Sequence, residues 1–349
     1  MNKKNKIILF TYTFIYALLA YSSPISLICW SNSFSSQNAR ITASKLNSTI
    51  ESNCPTVKLS KMYLELPRNT TTESGLTCIS TFMNNLNSKD KSTKFAFLAS
   101  AASLFQKGEI DLSKLANVLD AGYTPDSAIF FLQKYAPQVI IDIRNMQNIN
   151  EIANANFSSI LFDVEAGKVG APSYNINTKG IYYLLYYTRQ YMNDNNMRNI
   201  GLETTLPWNQ IQISSASTFI SKLFGKPLPK IEIISTLLDK NKIATNIFAM
   251  LYRKSSQLID SNNIIQTTWW KTYVAPGLDN LSKKFTMTIT PSIGVNIGDP
   301  KPVLTHAQLV SFLNNYSNSE KHIFSEYKGR ISPAILGIHG LEGFIKLLK

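Results

Sequence analysis

Short apolar runs recur between longer amphipathic stretches along most of the chain. The short runs have the length of buried strands and lie at 57–66, 95–100, 139–143, 160–164, 200–205, 243–252, 285–289 and 334–339. The run 95–100 is also short enough to begin a helix. The amphipathic stretches have helical periodicity and lie at 112–119, 125–135, 148–155, 179–192, 216–224, 305–315 and 341–348. The pattern therefore predicts strands and helices in alternation.

This alternation predicts an α/β fold. Strands separated by helices pair in parallel through right-handed crossovers. About eight such units over ~290 residues fit a (β/α)₈ TIM barrel, with a doubly wound open sheet as the alternative. No G-x-G-x-x-G motif follows a strand, so dinucleotide binding has no support. We predict that residues 57–349 form the barrel domain.

The N-terminus has the pattern of an export signal. Three lysines lie in the first six residues, residues 7–20 are apolar, and Ala20-Tyr21-Ser22 supplies small residues at a cleavage site. We predict a signal peptide at 1–22, a Ser/Asn-rich leader at 23–56, and a secreted or periplasmic protein. Because apolar residues resume at 25–30, an uncleaved membrane anchor is the alternative. No later segment has the ~20 uninterrupted apolar residues of a membrane span.

Charge narrows the range of partners. The 349 residues carry a formal net charge of +13, which favours anionic partners such as envelope polymers or lipid headgroups. The basic residues are dispersed, so nucleic acid is not specifically indicated. Membrane contact is expected only through the signal segment, and the sequence is silent on oligomeric state.

The cysteines and histidines argue against a metal centre. Cys29, Cys54 and Cys78 are the only cysteines, and in an exported chain Cys54–Cys78 is a reasonable disulfide. The three histidines are scattered, with no short metal-ligand spacing, which disfavours a zinc enzyme. We therefore expect no metal and no cofactor.

The run 160–164 carries the strongest chemical signal, because it ends in Asp163 and Glu165. On a strand, acids at positions i and i+2 share one face, about 6–7 Å apart along the chain. Burying such acids is costly unless they are neutralised or used. Active sites of barrels lie at the C-terminal ends of the strands, so we predict a catalytic role for both acids.

Four partial motifs follow one another along the chain. They are SSILFDVE at 158–165, MLYR at 250–253, TPSIG at 290–294 and His339 at the end of the last predicted strand. In the order and spacing of these motifs, the chain resembles glycoside hydrolase family 18, the chitinases and endo-N-acetylglucosaminidases. The strand-four signature of that family is D-G-x-D-x-D-x-E, and residues 158–165 read SSILFDVE. Its strand-six signature is M-x-Y-D, and residues 250–253 read MLYR. Residues 290–294 partly match its strand-seven pattern, and His339 lies near the position of its sugar-site tryptophan.

The resemblance implies substrate-assisted, retaining hydrolysis, an exception to ordinary two-carboxylate chemistry. Glu165 would protonate the glycosidic oxygen as the general acid. Asp163 would orient the 2-acetamido group of the substrate, whose oxygen attacks the anomeric carbon, and Tyr252 would hydrogen-bond that group. The expected function is an exported glycoside hydrolase that acts on N-acetylglucosamine-containing glycans, namely chitin-like, peptidoglycan or N-glycan chains.

Departures from the family motifs support a second hypothesis. Ser158 and Leu161 stand where the family has acids, and Arg253 replaces an aspartate. Arg253 would lower nearby carboxylate pKa values, or bind an anionic substituent such as a lactyl or uronic carboxylate. The alternative is a catalytically lapsed barrel that serves as a glycan-binding or host-interaction protein.

Further residues complete the predicted site. The predicted substrate-binding residues are Met250, Arg253, Trp208, Trp269, Trp270, His339 and Glu203. The tryptophans follow predicted strands, where aromatic rings stack on sugars, although core packing explains them equally well. Glu203 lies at the end of the predicted strand that follows the strand of Glu165. It offers a second carboxylate for an ordinary pair of general acid and nucleophile. Asp142 lies within a predicted strand and would only orient a neighbour.

Overall fold

The chain folds as a closed barrel of eight parallel strands, each hydrogen-bonded to the next in chain order, which confirms the predicted (β/α)₈ class. The computed structural model describes residues 23–29, 46–65, 73–87, 93–100, 110–123, 125–153, 156–164, 172–207, 238–250, 285–294, 304–323 and 336–339. The strands are β1 Ser23–Cys29, β2 Val57–Glu65, β3 Lys94–Ser100, β4 Phe157–Asp163, β5 Gly201–Pro207, β6 Asn246–Met250, β7 Thr288–Gly294 and β8 Leu336–His339.

Helices cover the outside of the barrel. They are α1 Glu73–Asn87, α2 Leu112–Asp120, α3 Ala128–Tyr135, α4 Pro137–Ala153, α5 Tyr174–Asp194 and α6 His306–Ile323. The helices predicted around α2, α3, α5 and α6 are confirmed, whereas those predicted at 216–224 and 341–348 lie outside the described residues. Within the described part of the chain, no helix is both long and apolar enough to cross a membrane.

The barrel begins earlier than we predicted. Strand β1 lies inside the range assigned to a leader, and its pairing with both β2 and β8 closes the barrel. Its outward residues Ile25, Leu27 and Cys29 are buried in the core, as are Leu46 and Ile50 of the helical segment 46–53. The apolar run 25–30 also fits an uncleaved anchor, so the sequence did not identify β1 as a strand. The helical segment 46–53 was hidden by its Ser/Asn-rich surroundings, because its apolar positions are few and spaced for one buried face. The predicted signal peptide, 1–22, lies outside the described residues.

The prediction of a strand at 139–143 is wrong, because these residues belong to helix α4. Val139, Ile143 and Met146 are buried at helical spacing, and Pro137 suits the first position of a helix. Asp142 therefore lies on a helix, where its Oδ1 accepts a hydrogen bond from Gln138 at 2.9 Å. The missed β1 and this false strand offset each other, so the run 160–164 is indeed part of the fourth strand.

Strand β7 extends beyond the predicted end at Thr290-Pro291. It runs to Gly294, and Pro291 lies in register with Ala249 of β6. Proline lacks a backbone donor and usually interrupts a central strand, which is why the sequence suggested an earlier end.

Cys54 is a free and buried thiol, so the predicted disulfide with Cys78 is absent. Its backbone connects the segment 46–53 to β2, since Cys54 N donates to Ile50 O at 2.7 Å and Val57 N donates to Cys54 O at 2.9 Å. Burial raises the pKa of the Cys54 thiol to about 11, so at neutral pH it remains protonated and unreactive.

Strand β2 contains an extra residue, Ser60, that changes which side chains face inward. Ile25 of β1 pairs with Leu59, but the next residue, Ser26, pairs with Lys61. The Ser60 hydroxyl donates to the Ile25 carbonyl at 3.0 Å, which holds the bulge. Such a bulge re-aims the side chains that follow it, and here it turns Lys61 into the barrel.

Strand β4 repeats this arrangement with Ser158. Phe95 of β3 pairs with Phe157 and Ala96 pairs with Ser159, so Ser158 is the extra residue. Its hydroxyl donates to the Phe95 carbonyl at 3.0 Å. The bulge leaves Phe157 in the outer core and turns Ser159 inward.

Helices α2 and α5 pack closely because α5 carries Gly180. A Cβ atom at this position would lie 2.2 Å from the Leu112 carbonyl oxygen of α2, so no larger residue fits without moving a backbone. Near the same contact, Lys179 of α5 forms an ion pair with Asp120 of α2 at 2.6 Å.

We predict that Gly180→Ala destabilises the protein by about 2–3 kcal/mol through overpacking, although alanine is the better helix former by about 1 kcal/mol. Urea denaturation gives the free energy of unfolding. Gln190→Ala, on the same helix, is the control and should change that free energy by less than about 0.5 kcal/mol. A Gly180→Ala protein as stable as the wild type would contradict the close contact.

Candidate active site

The C-terminal ends of the even-numbered strands bring three predicted site residues to one rim of the barrel. Asp163, Met250 and His339 are the last residues of β4, β6 and β8, and Glu65 is the last residue of β2. Because all the strands are parallel, these ends open at the same mouth, where barrel enzymes carry their active sites. Glu65 was missed by the sequence analysis, because a single acid at the end of a strand is a weak signal.

The side chains of three of these residues face the barrel interior. Six buried residues form a separate apolar cluster there: Ile28, Tyr63, Ala96, Leu98, Leu161 and Phe248. Rings from opposite strands, Tyr63 and Phe248, meet within it at a centroid distance of 4.8 Å. Glu65, Asp163 and Met250 each lie two positions beyond a member of this cluster, so strand alternation places them on the same inward face.

Asp163 is the described residue best placed for chemistry. It is 9% exposed, so its carboxylate lies at the boundary between the barrel interior and the mouth. The hydroxyl of Thr205, on the neighbouring strand β5, donates to Asp163 Oδ1 at 2.8 Å. The predicted general acid, Glu165, follows two positions later and lies outside the described residues.

Deeper in the barrel lies a hydrogen-bonded group that we call the interior network: Lys61, Tyr63, Ser159, Glu203 and Asn246. Lys61 Nζ forms an ion pair with Glu203 Oε1 at 2.5 Å and donates to Ser159 Oγ at 2.7 Å. The Tyr63 hydroxyl and Asn246 Nδ2 donate to Glu203 Oε2 at 2.7 and 2.9 Å. Both oxygens of Glu203 are thus bonded to protein donors.

Electrostatics keep Glu203 ionised. Its burial opposes ionisation, but the positive charge of Lys61 and the hydrogen bonds from Asn246, Lys61 and Ser159 outweigh that effect and lower its pKa. Burial, together with the charge of Glu203, raises the pKa of Tyr63 well above its usual value. The phenol therefore stays protonated and remains a donor.

These contacts give Glu203 a structural role. The sequence predicts that Glu203 binds substrate, or pairs with Glu165 as a nucleophile, but it is 3% exposed and both its oxygens are engaged. A nucleophile needs an oxygen that can reach the anomeric carbon. Strand β5 continues to Pro207, so Glu203 lies two positions deeper than Thr205 and below the mouth.

Several predicted site residues are described only in part or not at all. Met250 is 9% exposed, and His339 lies in register with Ile28 and Gly294. The residues outside the described ranges are Glu165, Trp208, Tyr252, Arg253, Trp269 and Trp270. Among the side chains that the structure does describe, no cluster of histidine, cysteine, aspartate and glutamate could hold a metal ion.

Comparison with known proteins supports the fold. No family model matches the chain, and no curated protein matches its sequence. A family GH18 chitinase from Cycas revoluta, solved with allosamidin, superimposes with a TM-score of 0.51 at 10% identity over 93% of this chain and 96% of that one. An endo-beta-1,4-mannanase from Cellulomonas fimi gives a TM-score of 0.50 at 8% identity over 95% of this chain and 73% of that one.

A GH18 chitinase from Pseudoalteromonas aurantia gives a TM-score of 0.45 at 10% identity over 92% of this chain and 94% of that one. At such identities a likeness shows the fold alone. The chain therefore has a barrel like those of glycoside hydrolases, and the chitinase and mannanase with the higher scores show that this likeness is not specific to one family of them.

We predict that removal of only one of the two charges in the interior network destabilises the protein more than removal of both. Lys61→Met and Glu203→Gln each leave the other group, which is largely removed from solvent, without its counter-charge. Each change should lower the free energy of unfolding by about 3 kcal/mol. The double variant should lose less than either single one, because it leaves no unpaired charge. Lys58→Met, an exposed position on the same strand, is the control and should cost less than about 1 kcal/mol. Additive losses in the double variant would contradict the pairing.

The free energy of unfolding should also depend on pH, because Glu203 is ionised in the folded protein. Because the fold holds the pKa of Glu203 below its ordinary value of 4.5, its ionised form stabilises the fold above that pH. This stabilisation is lost as the pH falls through the folded-state pKa. Urea denaturation between pH 3 and 7 should show the wild type and Glu203→Gln converging below about pH 4. A difference that is constant down to pH 3 would contradict the assignment.

Proposed function

We propose that this protein is a glycoside hydrolase that acts on N-acetylglucosamine-containing glycans by substrate-assisted, retaining hydrolysis. The observation that carries the proposal is the position of Asp163, which faces inward at the C-terminal end of the fourth strand and is held by Thr205. In the resemblance to family 18, this is the aspartate that assists the acetamido group. We further propose that residues 1–22 direct export, because such substrates lie in cell envelopes and extracellular matrices.

The proposed chemistry assigns a role to each residue. Glu165 protonates the glycosidic oxygen while the acetamido oxygen of the substrate attacks the anomeric carbon, so that the glycosidic bond breaks and the aglycone leaves as an alcohol. Glu165 then takes a proton from the water that attacks the same carbon and opens the oxazolinium ring, which completes retaining hydrolysis. Asp163 orients the acetamido group and stabilises the positive charge of the oxazolinium ion that forms. Tyr252 donates a hydrogen bond to the acetamido oxygen. The last residue of β6, Met250, lies at the same mouth as Asp163, and Tyr252 follows it by two positions in the sequence.

A second candidate function, glycan binding without turnover, is favoured by Leu161. Family 18 has an acid at this position, which shares a proton with the following aspartate. Here Leu161 is fully buried and packs in the apolar cluster inside the barrel. Glycans would still bind at the mouth, where Arg253 is proposed to recognise an anionic substituent.

The test is the release of a fluorogenic aglycone from chitobiose and chitotriose conjugates. We expect the wild type to release it, and Glu165→Gln to lower the rate by at least ~10²-fold, the scale of general-acid catalysis. Glu151→Gln is the matched control, because Glu151 is exposed on helix α4, away from the mouth. It should leave the rate unchanged.

The outcomes separate the two candidate functions. Activity that survives Glu165→Gln would reject the proposed mechanism. Binding on a glycan array by a wild type that releases no aglycone would support the binding protein instead. A protein that neither binds nor cleaves any glycan would contradict both.

A further inference from the structure

We infer that Thr205 is a positioning residue that fixes the Asp163 carboxylate for the reaction. This inference rests on the proposed function, since it assigns Thr205 a part in the same site. Nothing in the motifs of the sequence pointed to Thr205, because it lies on a different strand, β5, from the acid that it contacts.

The geometry makes Thr205 a defined and rigid donor. Its hydroxyl lies 2.8 Å from Asp163 Oδ1, and an ionised carboxylate only accepts hydrogen bonds, so the hydroxyl donates. Thr205 is 2% exposed, and its β-branched side chain has few rotamers. Glu203, two positions earlier on the same strand, is tied to β2 and β6 by the interior network. The donor is therefore held by a strand that cannot easily shift.

The inward face of β4 shows what Thr205 contributes to Asp163. The residue two positions before it on the inward face is Leu161, which is apolar and buried and offers no hydrogen bond. A nearly buried carboxylate is stabilised and oriented by each hydrogen bond that it accepts. Thr205 reaches across from the next strand and supplies a donor that Leu161 lacks. With Oδ1 held, the orientation of the second oxygen is set as well.

A fixed Asp163 matters most when positive charge develops on the acetamido group. An interaction that strengthens only in the transition state changes kcat and leaves KM largely unaffected. The loss of a residue that merely supports the fold would lower the amount of active protein but would leave kcat per active molecule unchanged. Removal of the Thr205 hydroxyl should therefore lower kcat selectively.

The experiment compares Thr205→Val with Thr204→Val and Thr205→Ser on the full chain, using the chitobiose conjugate. Thr204 is the matched control, because it is fully buried on the same strand, faces the helices, and has its hydroxyl on the Thr205 carbonyl at 3.3 Å. We expect Thr205→Val to lower kcat by about tenfold or more, the scale of one hydrogen bond to a charged group, with KM changed less than about twofold. Thr205→Ser, which keeps the hydroxyl, should stay within about threefold of wild type.

Each outcome has a defined meaning. An active wild type with Thr205→Val equal to Thr204→Val, or with a loss only in KM, overturns this inference and leaves the proposed function intact. A wild type that cleaves no conjugate overturns the proposed function, and the inference with it. If Thr205→Val does not fold, the Thr205→Ser variant decides, since a tenfold loss of kcat there contradicts a role for the hydroxyl alone.

Discussion

The interior of this barrel depends on a buried ion pair between Lys61 and Glu203. Barrel interiors are usually layers of apolar side chains, which tolerate exchange of one residue for another. A buried carboxylate is different, because it is stable only where a counter-charge and donors meet it. Here those groups come from β2 and β6, which lie opposite each other in the eight-stranded barrel. Asn246 in turn accepts from Thr290 at 3.1 Å, which extends the constraint to β7. We interpret the pair as the element that specifies the register of these strands.

The two serine bulges are what allow this pair to form. A strand of strict alternation from Val57 would direct Lys61 outward, into the helices. The extra residue Ser60 reverses the phase, and Ser158 does the same on β4. The two residues that follow the bulges, Lys61 and Ser159, then bond to each other. The hydroxyls of Ser60 and Ser158 replace ladder hydrogen bonds that the bulges disrupt, so each bulge is stabilised where it occurs.

Most of the fold could be predicted from the sequence, whereas much of the site could not. Periodicity sufficed for α5, where apolar residues share one face, and a continuous apolar run sufficed for β4, which is buried on both faces. It failed at 139–143, because a helix buried along one side contains short apolar runs that look like a strand. For the site, Asp163 could be found because its acid motif is local. Thr205 and Lys61 could not, since their contacts depend on strand neighbours and on a bulge, and neither leaves a local pattern.

The depth of each acid separates structural from chemical roles. Glu203 and Asp163 are both acids on inward faces of adjacent strands, but Glu203 lies deeper and its charge is matched at 2.5 Å by Lys61. A close pair of opposite charges acts as a dipole, whose field falls off faster with distance than that of a single charge. A ligand at the mouth therefore experiences little net charge from the network. It encounters Asp163, which accepts a hydrogen bond from a neutral donor, the hydroxyl of Thr205. The network thus holds the strands, while the electrostatics of the mouth are left to the residues at the strand ends.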